Sequence, residues 1–340
     1  MSALACILGC SGPTLTAGER AFFEEVKPWG FILFKRNVET PDQVRALTDS
    51  LRACVDRPDA PVLIDQEGGR VQRLGPPHWR RYPPGHAYGA LAANDPLQQR
   101  EIARLGARLM AHDLAALGIN VDCLPVLDVP DPSGHEVIGD RAYGETVQTV
   151  ALLGRAAAEG LIAGGVLPVI KHLPGHGRAE IDSHEACPVV ASNAAALTAT
   201  DLPPFQALRH APFGMTAHVV YPTWDATAPA TLSPLVIEHV IRSVIGFDGA
   251  LLSDDIGMKA LSGAIGTRAR LAQTAGCDIV LHCSGIAEEM AAVAPAVSAL
   301  EGRAASRVER ALARRSIADP IDPTRLLAEL GHLLAGGTPA

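Results

Sequence analysis

The chain has 340 residues, of which 48% are hydrophobic and 19% are charged. That apolar fraction supplies a large core, so the composition excludes an intrinsically disordered protein. The 29 Lys and Arg against 37 Asp and Glu leave a net charge of −8, and the basic residues are dispersed along the chain. We therefore expect no nucleic-acid partner. No run reaches the roughly 18 consecutive apolar residues of a membrane span, so we expect a soluble protein without a membrane partner.

Cysteine usage and the first residues both bear on the cellular compartment. The seven cysteines are an odd number and include no C-x-x-C pair, which disfavours a disulfide framework and a zinc site. Free thiols are typical of a reducing compartment. The N-terminal stretch lacks the basic region and the apolar length of a signal peptide. We therefore expect a cytoplasmic protein.

Eight short apolar runs recur along the chain and predict eight β-strands. Runs that are apolar throughout are typical of parallel strands buried on both faces. In chain order they are Ala5–Leu8, Gly30–Phe34, Val62–Ile64, Ile119–Cys123, Leu167–Ile170, Phe213–Thr216, Ala250–Leu252 and Ile279–Leu281. Segments with helical periodicity lie between them. Eight such alternating units predict an α/β fold, a single (β/α)₈ TIM-type barrel.

The helical segments agree with this architecture. They include Pro41–Cys54, Leu97–Leu117, Val147–Ala163 and Ser233–Val244. The last begins with Ser-Pro, which suits a helix N-cap and first position. A doubly wound sheet is the alternative, but no Gly-rich dinucleotide turn follows an early strand. No change in composition marks an internal boundary. We therefore expect one domain over residues 1–340, with terminal helices in 299–340 that close the barrel and a short frayed tail after residue 336.

Polar residues follow most of the predicted strands. In a (β/α)₈ barrel the catalytic groups lie at the carboxyl ends of the strands. Here these positions carry Lys35-Arg36-Asn37, Asp65-Gln66-Glu67, Lys171-His172, His218, Ser253-Asp254-Asp255 and His282. So many ionisable side chains at one end of a barrel indicate an active site there rather than a set of solvated strand ends.

The segment after the fifth strand, residues 171–184, is the most unusual in the chain, with three His residues, two Gly and a Pro in a loop pattern. Histidine titrates near neutral pH, so His184 is a candidate for proton transfer. Asp182 is placed to hold one ring nitrogen and to favour the charged form. His172 and His176 are competent metal ligands, but the chain has neither the H-x-H of barrel metal hydrolases nor H-E-x-x-H. We expect no metal and no other cofactor.

Two adjacent acids, Asp254 and Asp255, follow the seventh strand. Neighbours on an extended chain point to opposite sides, so only one of them can face the pocket unless the chain bends. The other is expected to be held by backbone N–H groups or by an Arg. The pattern leaves open which acid has which position.

Three segments resemble a known family. They are Asp65-Gln66-Glu67-Gly68-Gly69-Arg70-Val71-Gln72-Arg73, then Lys171-His172-Leu173-Pro174-Gly175-His176-Gly177 with Asp182-Ser183-His184, then Ser253-Asp254-Asp255-Ile256-Gly257-Met258. In this order they resemble family 3 glycoside hydrolases, and within that family the single-domain bacterial β-N-acetylglucosaminidases of peptidoglycan recycling. The likeness runs over nearly the whole chain. It implies a (β/α)₈ barrel and metal-free hydrolysis that retains the anomeric configuration.

The resemblance also implies roles for individual residues. Asp254 matches the family's nucleophile, His184 its general acid/base, and Asp182 the partner that orients this histidine. The implied substrate-binding residues, at the N-acetylglucosamine subsite, are Asp65, Arg73, Arg141, Lys171 and His172. The implied substrate is N-acetylglucosamine linked to anhydro-N-acetylmuramic acid and its peptides, cleaved through a covalent glycosyl-enzyme intermediate.

Other functions stay open at this point. A phosphorylase would form the same covalent intermediate and transfer the sugar to phosphate. A histidine acid/base favours this alternative, because it repels an incoming phosphate less than a carboxylate does. Substrate-assisted catalysis by the acetamido group would leave Asp254 and Asp255 only to position the substrate. A muropeptide-binding sensor would keep the barrel without turnover, and a metal-dependent amidohydrolase would lose activity on chelation. For the leading interpretation we expect a monomeric exo-glycosidase.

Overall fold

Eight parallel β-strands form the centre of the molecule. The computed structural model describes residues 3–91 and 95–335, and the tail predicted after residue 336 lies outside them. The strands are β1 (Leu4–Gly9), β2 (Pro28–Leu33), β3 (Val62–Ile64), β4 (Val121–Asp122), β5 (Leu167–Leu173), β6 (Phe213–Thr216), β7 (Ala250–Leu252) and β8 (Val280–His282). Every predicted strand is found with its ends displaced by a few residues at most, so the predicted barrel architecture is confirmed.

The strands run round the barrel in chain order. Each strand from β1 to β6 pairs in parallel with the next one along the chain. Strand β8 returns to pair with β1 through Cys6 and Val280. A single parallel bridge between Leu252 and Ile279 joins the remaining neighbours. The ring is therefore closed, and the alternative of a doubly wound sheet, which has two open edges, is wrong.

Helices connect the strands and cover the outside of the barrel. They are α1 (Ala17–Val26), α2 (Pro41–Val55), α3 (Gly85–Ala90), α4 (Pro96–Ala115), α5 (Val147–Ala163), α6 (Ala194–Thr200), α7 (Leu202–Ala207), a π-helix (Val236–Val244), α8 (Ile265–Ala275), α9 (Ala287–Val293), α10 (Gly302–Leu312) and α11 (Pro323–Leu334). Thr16 and Glu19 form a capping box at α1. The Ser233 hydroxyl accepts the Val236 N–H as the predicted cap, although the turns that follow are wound as a π-helix. Among the described residues, every helix is too short or too polar to cross a bilayer.

Helix α10 closes the amino end of the barrel. Its residues Val308 and Ala311 are buried in the same apolar cluster as the side chains that fill the barrel interior. That cluster includes Trp29 and Phe213, which stand at the starts of β2 and β6 and whose rings are 5.7 Å apart. Since the amino end is sealed in this way, the carboxyl ends of the strands form the open end of the barrel.

Loops at the carboxyl end carry two short hairpins that the sequence did not predict. One pairs Gln66–Gly68 with Val71–Gln72, directly after β3. The other pairs Val220–Tyr221 with Asp225–Pro229, after β6. In the first hairpin Gly68 has a φ of +88°, and a Cβ there would lie 2.1 Å from a backbone carbonyl oxygen, so only glycine fits.

Candidate active site

A cavity of about 420 Å³ opens at the carboxyl end of the barrel. Seven of the eight predicted site residues line it, namely Asp65, Arg73, Arg141, Lys171, His172, His184 and Asp254. The eighth, Asp182, is not in the wall but hydrogen-bonds to His184. The structure therefore brings the predicted residues together from loops that are far apart in the chain.

Charged side chains from three loops form one network in the cavity wall. Lys171, near the end of β5, lies 3.0 Å from Asp65 Oδ1 and 2.7 Å from Glu67 Oε1. Arg73 Nη2 donates to Asp65 Oδ2 at 2.9 Å. Arg141 donates twice to Glu67, at 2.8 and 2.9 Å. Each of the two acids therefore binds two cations, although the Lys171 and Glu67 side chains are both only 3% exposed.

Opposite charges keep this network ionised despite its burial. Burial raises the pKa of Glu67, but Arg141 and Lys171 outweigh it and lower that pKa to about 2. Burial likewise opposes ionisation of Asp65, and Lys171 and Arg73 hold its pKa well below the ordinary value. Burial alone would lower the pKa of Lys171, whereas the carboxylates of Asp65 and Glu67 raise it. The cavity therefore presents a fixed set of charged donors and acceptors to a polar substrate.

Replacement of Glu67 by Gln is expected to lower the free energy of unfolding at pH 7 by about 3–5 kcal/mol, because two buried cations lose a counter-charge. The pKa of Glu67 falls from its ordinary 4.5 to about 2 on folding. Its stabilising contribution is therefore complete above about pH 4.5 and is lost as the pH falls through 2.

Urea unfolding of wild-type and Glu67→Gln protein from neutral to acid pH measures this effect, and the two curves should converge as the pH falls. Glu25→Gln, at an exposed position on α1, serves as the control and should leave stability unchanged. A difference between wild type and Glu67→Gln that is independent of pH would contradict an ionised pair.

A buried acid orients the next residue of β5. Asp128 Oδ2 accepts the His172 Nδ1–H at 2.7 Å, and its Oδ1 accepts the backbone N–H groups of His172 and His176 at 3.2 and 2.7 Å. Burial raises the pKa of Asp128, but the His172 ring and the hydrogen bonds outweigh this effect and lower it. Since Nδ1 is engaged, Nε2 is the ring atom that His172 offers to a substrate.

The two acids after β7 have different surroundings. Asp255 Oδ1 accepts the backbone N–H groups of Gly257 and Cys283 at 2.9 and 3.1 Å. Asp254 Oδ1 accepts only the N–H of Asp255, at 2.8 Å, and Asp254 Oδ2 has no hydrogen-bond partner among the described residues. Asp255 is therefore the acid held by backbone groups, as expected for one of the pair, and Asp254 keeps one oxygen available at the cavity.

The chain bends at these two acids, which is the condition under which both can face the pocket. Both Asp254 and Asp255 line the cavity. The reason is that the chain leaves the extended conformation at this point and turns, with the Met258 N–H donating to the Asp255 carbonyl at 3.0 Å. His218 supports the same turn, since its Nε2 donates to that carbonyl at 2.9 Å. Burial lowers the pKa of His218, so this support is a neutral imidazole at physiological pH.

His184 stands at the mouth of the cavity, on the loop between β5 and α6. Asp182 Oδ1 accepts both the backbone N–H and the ring Nδ1–H of His184 at 2.8 Å. Burial raises the pKa of Asp182, but these hydrogen bonds outweigh it, so Asp182 is a carboxylate at neutral pH. The His184 side chain is 66% exposed. Its Nε2 is therefore the ring atom that an incoming substrate meets.

Ser183 anchors this loop. Its carbonyl accepts the Ala260 N–H from the loop after β7 at 3.2 Å. Its hydroxyl lies 3.2 Å from Nε2 of His176, which is buried. Burial lowers the pKa of His176 to about 4, so this ring is neutral at physiological pH. The histidine at the mouth is thus tied through its neighbour to the loop that carries Asp254.

Sequence reasoning missed two residues that organise the site, Glu67 and Asp128. Glu67 belongs to the polar group after β3, and its pairing with Arg141, 74 positions away, has no local signal. Asp128 lies beyond an apolar stretch after β4, so the search for polar strand ends passes over it. The sequence offers His176 as a possible metal ligand, and in the structure its ring contacts the Ser183 hydroxyl. Among the described residues, no group of three or more His, Cys, Asp or Glu is arranged to hold a metal ion.

Fold and site together define a class of enzyme. A carboxylate with a free oxygen and an imidazole held by a second carboxylate line one cavity, at the end of a (β/α)₈ barrel where such enzymes carry their chemistry. A carboxylate and an imidazole so placed have the chemistry of a nucleophile and a proton donor, the pair that retaining cleavage of a glycosidic bond uses. This arrangement is typical of glycoside hydrolases.

Comparison with known proteins gives the family. Residues 19–316 match the Glycosyl hydrolase family 3 N terminal domain. The chain belongs to this family.

Relatives and solved structures agree with this assignment. The beta-hexosaminidase of Methylococcus capsulatus is 41% identical over 299 residues, which cover 87% of this chain and 86% of that protein. The beta-hexosaminidase of Alkalilimnicola ehrlichii is 40% identical over 82% of this chain and 80% of that protein. The crystal structure of NagZ from Neisseria gonorrhoeae in complex with N-trifluoroacetyl-D-glucosamine is 29% identical and superposes with a TM-score of 0.85, covering 99% of this chain and 97% of that one. The match therefore extends over nearly the whole length of both proteins.

Proposed function

We propose that the protein is a retaining exo-β-N-acetylglucosaminidase that removes terminal N-acetylglucosamine from muropeptides during cytoplasmic cell-wall recycling. The observation that carries the proposal is that Asp254 and His184, from two separate loops, line one cavity whose wall also holds the charged network. Relatives named beta-hexosaminidase support the choice of sugar. We further propose that the enzyme acts as a monomer, without a metal and without a nucleic-acid or membrane partner.

In the first step of this mechanism, Asp254 Oδ2 attacks the anomeric carbon of the sugar. The C–O bond to the leaving group breaks, and protonated His184 gives its Nε2 proton to the departing oxygen. Asp182 holds Nδ1 of His184 and stabilises the imidazolium that this role requires. The products of the step are a covalent glycosyl-Asp254 ester, a neutral His184 and the free leaving group.

In the second step the neutral imidazole acts as a base. His184 takes a proton from a water molecule, whose oxygen attacks the anomeric carbon and displaces the Asp254 carboxylate. Two displacements at the same carbon return the sugar to its original anomeric configuration. The exposed position of His184 suits both steps, because the leaving group must depart and water must enter from the same side.

The charged network holds the sugar in this mechanism. Each carboxylate oxygen has capacity for a further hydrogen bond, so Asp65 is able to accept from sugar hydroxyls while Lys171 and Arg73 remain bound to it. Arg141 and His172 line the same cavity and are the remaining proposed binding residues. Because their positions are already fixed by Glu67 and Asp128, little ordering is required when the sugar binds.

Hydrolysis of a nitrophenyl β-N-acetylglucosaminide by the purified protein tests this proposal. We expect release of nitrophenol with NMR signals of the β-anomer of N-acetylglucosamine appearing before those of the α-anomer, because two displacements retain the configuration. Chelation of metal ions should leave the rate unchanged. First appearance of the α-anomer would rule out the covalent mechanism, and sugar binding without turnover by the wild-type protein would favour the sensor.

A phosphorylase is the second candidate, and the use of His184 at the mouth favours it. A neutral imidazole repels a phosphate dianion less than a carboxylate in the same position does. Addition of inorganic phosphate separates the two activities, because a phosphorylase turns over faster with phosphate and releases N-acetylglucosamine 1-phosphate. For the hydrolase we expect free N-acetylglucosamine as the only sugar product with and without phosphate.

A further inference from the structure

No step of the proposed mechanism uses His282, a buried histidine at the end of β8. Its side chain is 0% exposed and is not part of the cavity wall. We propose that His282 is a positioning residue whose ring links Asp255 to Glu289 of α9 and so holds the turn that directs Asp254 at the sugar. This inference rests on the proposed function and goes beyond it, because it adds a residue that acts through Asp255 and not through contact with the substrate.

The end of β8 places the ring behind the cavity wall. Leu281 and Cys283 line the cavity, whereas His282 does not, because successive side chains of a strand point to opposite sides. The Cys283 N–H donates to Asp255 Oδ1 at 3.1 Å, so this strand end is fastened to the turn after β7. The ring therefore lies next to the segment whose position decides where Asp254 points.

Carboxylates lie on both sides of the ring. Nδ1 of His282 is 3.7 Å from Asp255 Oδ1, and its Nε2 is 3.3 Å from Glu289 Oε2. Burial raises the pKa of Asp255, but the His282 ring and backbone N–H groups outweigh it and lower that pKa. Asp255 is therefore ionised next to Asp254, which has to be a carboxylate in the proposed mechanism. A polar ring behind Asp255 offsets the repulsion between these two adjacent acids.

Nδ1 of His282 is a buried polar atom that lacks a hydrogen-bond partner within residues 3–91 and 95–335. Buried polar groups are nearly always paired, because an unpaired one costs free energy. The distance of 3.7 Å to Asp255 Oδ1 exceeds a hydrogen bond by less than about 1 Å. Active-site hydrogen bonds commonly shorten when substrate binds, so the bond from His282 to Asp255 is one that the occupied site completes.

Contacts at the other ring nitrogen fix the direction of Nδ1. The Ser284 hydroxyl lies 2.9 Å from His282 Nε2 and accepts the Ile286 N–H at 3.0 Å. Glu289, in the first turn of α9, approaches the same nitrogen, and its side chain is 39% exposed. A bond at one ring nitrogen of a histidine sets what the other nitrogen presents. The ring is therefore held from the outside of the barrel and directed at Asp255.

The test compares three substitutions of His282. The amide nitrogen of an asparagine takes the place of Nδ1, that of a glutamine takes the place of Nε2, and a leucine has neither. We expect His282→Leu to lower kcat on a nitrophenyl N-acetylglucosaminide by about 10- to 100-fold, because misplacing a reacting group by about 1 Å costs up to about 10²-fold. His282→Asn should stay within about threefold of wild type, and His282→Gln should resemble His282→Leu. KM should change less than about twofold in all three, since the ring lies outside the cavity wall.

Melting temperatures separate this role from simple packing. An apolar leucine suits a buried position better than an asparagine, so His282→Leu should melt at the higher temperature of the two. If the ring only filled space, activity would follow the same order. The proposal predicts the opposite order for kcat, because only His282→Asn keeps an N–H directed at Asp255.

A substitution on α9 tests the outer contact at a partly exposed position, where folding is not at risk. Glu289→Gln should lower kcat by about two- to fivefold, since the ring loses one of its two flanking charges. Glu288→Gln, which removes the exposed acid next to it in the same helical turn, is the matched control and should leave kcat unchanged.

A nucleophile supplied from solution provides the decisive comparison. In Asp254→Ala protein, azide attacks in place of the carboxylate, so the position of the turn no longer affects the attack. Adding His282→Leu to Asp254→Ala should therefore lower azide-dependent turnover by less than about twofold. Equal losses from His282→Leu with and without Asp254, or equal kcat in His282→Asn and His282→Leu, would overturn the proposal.

Nitrogen NMR of the His282 ring provides a readout that does not need turnover. The Nδ1 signal should shift in Asp255→Asn and the Nε2 signal in Glu289→Gln, while Glu288→Gln should move neither. An Nδ1 signal that ignores Asp255→Asn would also overturn the proposal. Failure of the wild-type protein to cleave the aryl substrate would instead overturn the proposed function, and the NMR comparison would still decide whether His282 holds Asp255.

Discussion

Asp254→Ala is expected to reduce kcat/KM on a nitrophenyl N-acetylglucosaminide by about 10⁴-fold, which corresponds to roughly 5.5 kcal/mol of transition-state stabilisation. The loss is large because the variant lacks the carboxylate that we propose forms the covalent intermediate. Asp255 lines the same cavity, but its Oδ1 is engaged by two backbone N–H groups. The variant should fold normally, since the one hydrogen bond that Asp254 makes among the described residues is to its neighbour's N–H.

Azide distinguishes a lost nucleophile from a lost positioning group. In the Asp254→Ala variant the small anion has room to attack from the side that the carboxylate occupied, which yields the α-glycosyl azide and restores turnover. Formation of the β-azide would instead indicate that the acetamido group attacks first and that Asp254 only positions the substrate. Asp49→Asn, at an exposed position on α2, is the control and should retain full activity.

His184→Gln should show a loss that depends on the leaving group. For a sugar leaving group, which departs poorly unless protonated, we expect kcat/KM to fall by about 10²–10³-fold. For dinitrophenol, which departs without a proton, the loss in kcat/KM should be less than about tenfold.

Asp182→Asn should give a smaller loss with the same pattern, since the imidazole remains but loses the carboxylate at its Nδ1. His239→Gln removes an exposed histidine from the π-helix and is the matched control. Equal losses on sugar and dinitrophenyl substrates in His184→Gln would show that His184 only helps to bind or to close the site.

The barrel was predictable because its strands are apolar on both faces, so that eight short runs stand out from the helical segments between them. The end of β5 was not predictable in the same way. Apolar patterning predicts an end at Ile170, whereas the strand continues through Lys171 and His172 to Leu173, which pairs with Thr216. Two charged or polar side chains are tolerated inside the strand because acids from neighbouring loops bind them, and a pattern along one segment carries no information about such partners.

Part of the candidate site was predictable from local sequence motifs, and part of it was not. Asp254, His184 and Asp182 lie in short motifs, and the contact between Asp182 and His184, within three residues of chain, is a local property. Glu67 and Asp128 act on residues 44 to 104 positions away, and only the closed barrel brings them into contact.

Val308 and Ala311 of α10 close the amino end of the barrel, away from the active site. This placement separates thermal stability from substrate specificity, two properties that often conflict when enzymes are engineered. Substitutions that improve the packing of α10 are expected to raise the melting temperature. They lie at the amino end of the barrel, opposite the active site. Sugar, leaving group and water enter and leave at the carboxyl end of the barrel, where changes in the loops alter substrate specificity. Heat tolerance and substrate choice are therefore expected to be adjustable independently in this scaffold.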